Sequence, residues 1–210
     1  MITDRHRLQG TASSRSGRPG GEDVLVQRVA AAARAGVDLI QVRERDLEGG
    51  RLFHLVRRCV EAVRATHARV IVNDRLDVAL SAGAHGVHLR GDSMPVTRAR
   101  TSVPPGFIVG RSIHSRAEAI SLSSAGGLDY MIFGPVFPTT SKPGQAATGV
   151  HALADIVAAT AIPVLAIGGV TLDTIPAVTT SGAAGVAAIG FFAIDDEQKM
   201  QANVSRASRV

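Results

Sequence analysis

The chain has 210 residues, 45% of them hydrophobic and 20% charged, which suffices for one well-buried core and is short for two; the reading is one soluble globular domain over residues 1–210. A net charge of +5 and a pI near 10.5 raise the question of nucleic acid, but 3% aromatic residues and arginines scattered along the chain argue against it and for small anionic substrates. The single cysteine, Cys59, excludes an internal disulfide, and no secretion signal or membrane-length apolar run occurs, so a cytoplasmic protein away from membranes is expected.

Met1 to Thr3 reads as a first strand. Gln9 to Gly21, crowded with Ser, Gly, Arg and Pro, reads as a loop after it, either a lid or a poorly ordered insertion. The second strand, Asp38 to Val42, runs into Gln41, Arg43, Glu44 and Arg45. Alternation puts Gln41, Arg43 and Arg45 on one face and Glu44 on the other. Two arginines on one face suit an oxyanion, a surface salt bridge being the alternative, and Glu44 is expected to be a structural partner. Leu52, Leu55, Val56, Cys59 and Val63 then form the apolar stripe of a helix.

The third strand, Val70 to Asn73, delivers Asn73 and Asp74, and the fourth, Gly86 to Leu89, delivers His88, Arg90, Asp92 and Ser93. Asp74 and Asp92 are candidates to share Mg²⁺ with phosphate oxygens; helix capping is the other reading of each. His85 and His88 have no cysteine nearby, so zinc is not expected. On the fifth strand, Phe107 to Ile113, Ser112 shares a face with His114. A histidine there could move protons or hold a phosphate, or act as a hinge beside Ser115, which has capping-box spacing to Glu118.

The sixth strand, Tyr130 to Val136, leads into Pro138 to Gly144. Thr139, Ser141 and Lys142 stand there, and Lys142 is one of only two lysines, against 21 arginines. Such a loop is a place to hold an oxyanion. The seventh strand, Pro163 to Gly169, closes on Gly168 and Gly169, and the eighth, Gly185 to Phe191, contains Ile189 and Gly190. Glycines after the last two strands let backbone amides approach a phosphate. The segment 195–210 is polar and reads as a last, fraying helix.

One phrase recurs as helix stop followed by strand start, at Gly36, Gly83, Gly126 and Gly182. Eight strands alternating with helices, and no edge strand with polar alternation, predict a single (β/α)8 TIM barrel over an open doubly wound sheet.

From Ile2 to about Ile194 the chain resembles the thiamine phosphate synthase and TenI family. The resemblance is carried, in order, by Ile2-Thr3-Asp4-Arg5, Gln41-Val42-Arg43-Glu44-Arg45-Asp46, Val72 to Leu80, Gly86-Val87-His88-Leu89, Gly134 to Lys142 and Ala166-Ile167-Gly168-Gly169. It implies a barrel in thiamine biosynthesis, a transferase that joins hydroxymethylpyrimidine diphosphate to a thiazole phosphate and releases pyrophosphate. By the same resemblance Gln41, Arg43, Asn73, Ser112, Thr139, Ser141 and Lys142 contact the diphosphate or pyrimidine, Asp74 binds Mg²⁺, and Gly169, Ile189 and Gly190 hold the thiazole phosphate. Arg45 stands where the family has a lysine, and Arg90-Gly91-Asp92-Ser93 stands in place of Gly-Gln-x-Asp. The run Gly110 to Ser115 is closer to the TenI branch, in which a thiazole tautomerase uses the histidine matching His114. The alternatives are therefore that tautomerase or a catalytically silent ligand-binding protein. Self-association into a homo-oligomer is left open.

Overall fold

The computed structural model describes residues 1–9, 21–139, 144, 146–192 and 197–207. Contacts divide the chain into two compact units, Met1–Gly86 with Ile189–Ser205, and Val87–Ala188 with the end from Arg206. Strands and helices alternate through both. The strands are β1 Leu39–Val42, β2 Arg69–Asn73, β3 Gly86–Leu89, β4 Ile108–Ile113, β5 Tyr130–Phe133, β6 Val164–Ile167 and β7 Gly185–Ala187. The helices are α1 Gly21–Arg34, α2 Gly49–Val63, α3 Leu76–Ser81, α4 Val96–Thr101, α5 Arg116–Ala125, α6 Gly149–Val157, α7 Ile175–Thr180 and α8 Glu197–Ala207.

In the first unit β1 pairs parallel with β2, Leu39 opposite Arg69 and Val42 opposite Val72. The expected first strand is reduced to one parallel bridge, Ile2 to Gln41, with Thr3 N donating to Gln41 O at 2.9 Å and Gln41 N to Met1 O at 2.9 Å. The stripe Leu52, Leu55, Val56, Cys59 and Val63 lies wholly buried on α2, as its spacing predicts. Burial pushes the Cys59 thiol up to about 12, so it packs as an apolar group. α1 sets Leu25, Val29, Ala32 and Ala33 inward and packs on α2. Arg51 with Glu22 and Arg58 with Asp23 link the exposed sides of these helices, and such pairs contribute little.

In the second unit β4, β5, β6 and β7 pair parallel in chain order. Ile113, Met131, Phe133, Leu153, Ile156, Val164 and Ala166 form its core. Ser115 caps α5, its hydroxyl accepting from Glu118 N at 3.2 Å. The Glu118 carboxylate reaches one residue further back than a reciprocal capping box, accepting from His114 N at 2.6 Å.

The recurrent glycines all end helices with positive φ: Gly36 at 99°, Gly83 at 70°, Gly126 at 72° and Gly182 at 78°. Two strands stop earlier than their apolar runs suggest. β5 ends before Gly134-Pro135, because proline has no N–H for the ladder, and after β7 the chain turns into a short 3-10 helix at Gly190–Phe192. Seven strands are present among the described residues. Of the loop expected over 9–21, residues 10–20 lie outside the described ones; Gln9 ends a 3-10 helix and Gly21 begins α1. No described helix is long and apolar enough to cross a membrane.

Candidate active site

At the end of β1 the chain is held by the opening segment. Thr3 Oγ1 accepts from Arg43 N at 3.0 Å and donates to Glu44 Oε1 at 2.6 Å. Arg5 reaches Glu44 Oε2 with its backbone N at 3.2 Å and Nη1 at 3.0 Å, and it also pairs with Asp46, Nη1 to Oδ1 at 2.7 Å. Glu44 is buried and acts as the structural partner that alternation predicts. A carboxylate inside a protein needs its charge paired and its lone pairs satisfied, and Thr3 and Arg5 do both. Gln41 is buried, Arg43 half-buried and Arg45 exposed. Burial, then Arg45, pushes the Arg43 guanidinium below its ordinary range, against Asp4 and Glu44, which raise it. A group under that pressure gains when an anion approaches it.

At the end of β2 Arg75 N donates to Asn73 O at 2.8 Å, closing a three-residue γ-turn around Asp74. Asp74 has φ 63° and is alone among the described non-glycine residues in lying at positive φ. Such a turn is rare and strained and is retained where the backbone must aim a side chain.

The second unit builds a neutral polar line from three strands. His88 of β3, 2% exposed, has Nε2 at 2.9 Å from Ser112 Oγ on β4 and Nδ1 at 3.0 Å from Tyr130 Oη on β5. Burial, then Arg111, brings His88 down to about 3, so the ring is uncharged at neutral pH. Gly110, which pairs with Tyr130 across the ladder, leaves room for that phenol: a Cβ there would stand 2.0 Å from Tyr130 Cζ. Sequence reasoning proposed Ser112 for the site, weighed His88 only as a zinc ligand and passed over Tyr130. The available signals were a histidine within a fully buried strand and the one tyrosine of the chain.

After β3, Arg90 pairs with Asp92, Nε to Oδ1 at 2.9 Å, and Ser93 Oγ accepts from Arg90 N at 2.8 Å. Arg111 pins the same loop through Gly91 O at 2.7 Å and Met94 O at 3.0 Å. His114 is exposed, and its ring lies against the loop: a Cβ on Gly91 would stand 3.9 Å from its Nε2. The described residues contain no group of three or more His, Cys, Asp or Glu arranged to hold a metal.

The chain after β5 lies along the end of β6. Val136 N donates to Ile167 O at 2.9 Å and Phe137 N to Gly168 O at 3.1 Å. Gly168 at φ 97° and Gly169 at φ 64° turn beneath it, and a Cβ on Gly169 would stand 2.4 Å from Pro138 O. Packing thus demands these glycines independently of any phosphate. Thr139 ends that stretch, half-buried; Ser141 and Lys142 lie outside the described residues. In the first unit Ile189 O accepts from Phe192 N at 3.2 Å, forming the turn that holds Gly190, and Arg7 Nη1 would stand 3.9 Å from a Cβ on Gly190.

Alternating strands and helices with parallel pairing in each unit define the class as an α/β protein. The chain belongs to the thiamine monophosphate synthase family, whose model matches residues 14–192. It is 44% identical to the thiamine-phosphate synthase of Methanoculleus marisnigri over 162 residues, 75% of each protein. Thiamine-phosphate synthase 2 of Streptococcus pneumoniae is 35% identical over 188 residues, 89% of each. Among solved structures, thiamine phosphate pyrophosphorylase from Pyrococcus furiosus matches with a TM-score of 0.79 at 28% identity, covering 99% of this chain and 92% of that one.

Proposed function

We propose that the protein is a thiamine-phosphate synthase, a transferase of thiamine biosynthesis that joins hydroxymethylpyrimidine diphosphate to a thiazole phosphate and releases pyrophosphate in the cytoplasm. Family membership over residues 14–192 is the observation that carries this reading. The same reading takes the chain as one domain and a closed (β/α)8 barrel, with Met1 to Thr3 continuing the parallel pairing that begins at the Ile2–Gln41 bridge.

The reaction needs the bond between the pyrimidine methylene carbon and the diphosphate to break while charge on the leaving group is met by fixed cations. Arg43, Arg45 and Lys142 are assigned to that charge. Gln41, Asn73, Ser112, Thr139 and Ser141 are assigned to orient the diphosphate and pyrimidine, and Gly169, Ile189 and Gly190 to hold the thiazole phosphate through backbone amides. The thiazole nitrogen attacks the carbon, so this step requires no general base.

The donor chemistry suits Mg²⁺ held jointly with substrate: Asp74 is an oxygen ligand fixed by a strained turn, whereas Asp92 is engaged by Arg90 and is the weaker candidate. An ion so bound supplies positive charge to the diphosphate oxygens. The braced segment Thr3, Arg5, Glu44 keeps Arg43 in place, which is pre-organisation rather than chemistry.

The test is incubation with both phosphorylated substrates and Mg²⁺, following thiamine phosphate, on the wild type and two variants. Lys142→Ala should lower turnover by on the order of 10²-fold, with His114→Ala affected less. Activity that survives Lys142→Ala and vanishes in His114→Ala would move the assignment to a thiazole tautomerase.

A further inference from the structure

The contacts of Ser112 assign a role to the two residues in line with it, His88 and Tyr130. A neutral imidazole offers one N–H and one lone pair, so the line Tyr130–His88–Ser112 can run in either direction. In one, the phenol donates to Nδ1 and Nε2–H donates to Ser112 Oγ. In the other, Ser112 gives its only hydrogen to Nε2 and Nδ1–H donates to the phenol. The distances, 3.0 Å and 2.9 Å, suit both.

What breaks the tie is the partner Ser112 must meet, and here the inference rests on the function proposed above. Diphosphate oxygens and pyrimidine ring nitrogens are acceptors. A hydroxyl can serve them only with its hydrogen, and it has one. If that hydrogen were committed to His88, Ser112 would present lone pairs to an anion, which repels. We infer that Tyr130 and His88 are positioning residues that fix the donor direction of Ser112: Tyr130 O–H to His88 Nδ1, His88 Nε2–H to Ser112 Oγ, and the Ser112 hydrogen left for the substrate.

Three further observations fit a built relay rather than chance packing. The rings of His88 and Tyr130 stack, with centroids 5.6 Å apart and planes 29° apart, which limits imidazole rotation. Gly110 is required beneath the phenol. No buried side-chain nitrogen or oxygen among the described residues lacks a hydrogen-bond partner. Its neutrality matters too, because an imidazolium would donate from both nitrogens and reverse the Tyr130 bond.

The direction can be read without substrate. Whole protein labelled with ¹⁵N-histidine, with His88→Gln used to assign the signal, should show Nε2 protonated and Nδ1 bare from pH 8 to pH 5. A protonated Nδ1 overturns the inference whatever the activity. The coupling to ligand is read by calorimetric titration of pyrophosphate with Mg²⁺. Tyr130→Phe keeps the ring and loses the donor, and binding should weaken about 5-fold, the scale of one hydrogen bond. His88→Leu should weaken it about 10-fold, while His88→Gln, which retains a donor toward Ser112, should stay within about 3-fold of wild type. Equal losses in Leu and Gln variants, or none in Tyr130→Phe, would also refute the relay. A wild type that makes no thiamine phosphate but shows the Nε2 proton would instead refute the functional reading and leave the hydrogen-bond direction standing.

Discussion

Acidification should destabilise this protein through His88 in an amount that can be isolated. The residue is 2% exposed and its pKa falls from 6.5 to about 3, burial being the main cause. A histidine depressed in the folded state contributes fully above the unfolded pKa, and the contribution is lost as pH falls toward the folded value, because the unfolded chain takes up the proton first. The window is therefore pH 6.5 down to about 3. Between pH 7 and pH 5 the unfolded state gains about 2 kcal/mol from this one protonation, at about 1.4 kcal/mol per pH unit once below 6.5. The folded state gains almost nothing over that interval. The assay is urea unfolding of wild type and His88→Gln at both pH values. Six other histidines and every carboxylate are common to the two proteins, so the difference of differences reports His88. Wild type should lose about 2 kcal/mol more than the variant. Equal losses would mean that His88 is charged or water-accessible in the fold, and the neutral line through Ser112 would fall with it.

Gly110→Ala sets a methyl 2.0 Å from Tyr130 Cζ, and overpacking of that kind should cost about 1–3 kcal/mol in denaturant unfolding; an unchanged midpoint would show that the phenol is not seated there. Glu44→Ala removes the carboxylate that Thr3 and Arg5 hold and should cost about 3–5 kcal/mol, measured the same way, with a loss below 1 kcal/mol refuting its role as a brace. Calorimetry should find Mg²⁺ binding weak in the free protein, stronger with pyrophosphate and abolished in Asp74→Ala, since substrate oxygens complete what one carboxylate cannot. Equal binding in all three would remove the metal from the proposal.

The repeating unit was legible because each helix stop needs a residue tolerant of positive φ, and glycine meets that need at Gly36, Gly83, Gly126 and Gly182. The α2 stripe was legible because five apolar residues at helical spacing have one physical solution. Strand lengths were less so: Tyr130 to Val136 is one apolar run, but the ladder stops where Pro135 lacks a donor. Met1 to Thr3 reads as a strand and makes one bridge, since pairing depends on partners that a local window cannot see. For the same reason the glycines Gly168 and Gly169 carry two explanations. The packing of Pro135 against Gly168 and of Phe137 and Pro138 against Gly169 requires a missing Cβ, as the proposed phosphate would, and only the fold reveals the packing.

Glu44 and His88 illustrate two ways of burying polarity. An ionised carboxylate withdrawn from water costs several kcal/mol unless its charge and lone pairs are met, and the first unit meets them with Arg5 and Thr3. That arrangement tolerates strong charge, so the same segment can carry Arg43 half-buried and Arg45 exposed. The second unit holds its inner groups neutral. A phenol, an imidazole and a hydroxyl in line require no counter-ion, and each needs only that its neighbour's donor or acceptor be complementary. Replacing His88 by a cationic side chain would satisfy Ser112 equally well, yet would place a charge in a 2% exposed position with no carboxylate among its named partners. The neutral choice gives direction without that cost, which is the reason to expect hydrogen-bond polarity, rather than charge, to be what His88 contributes.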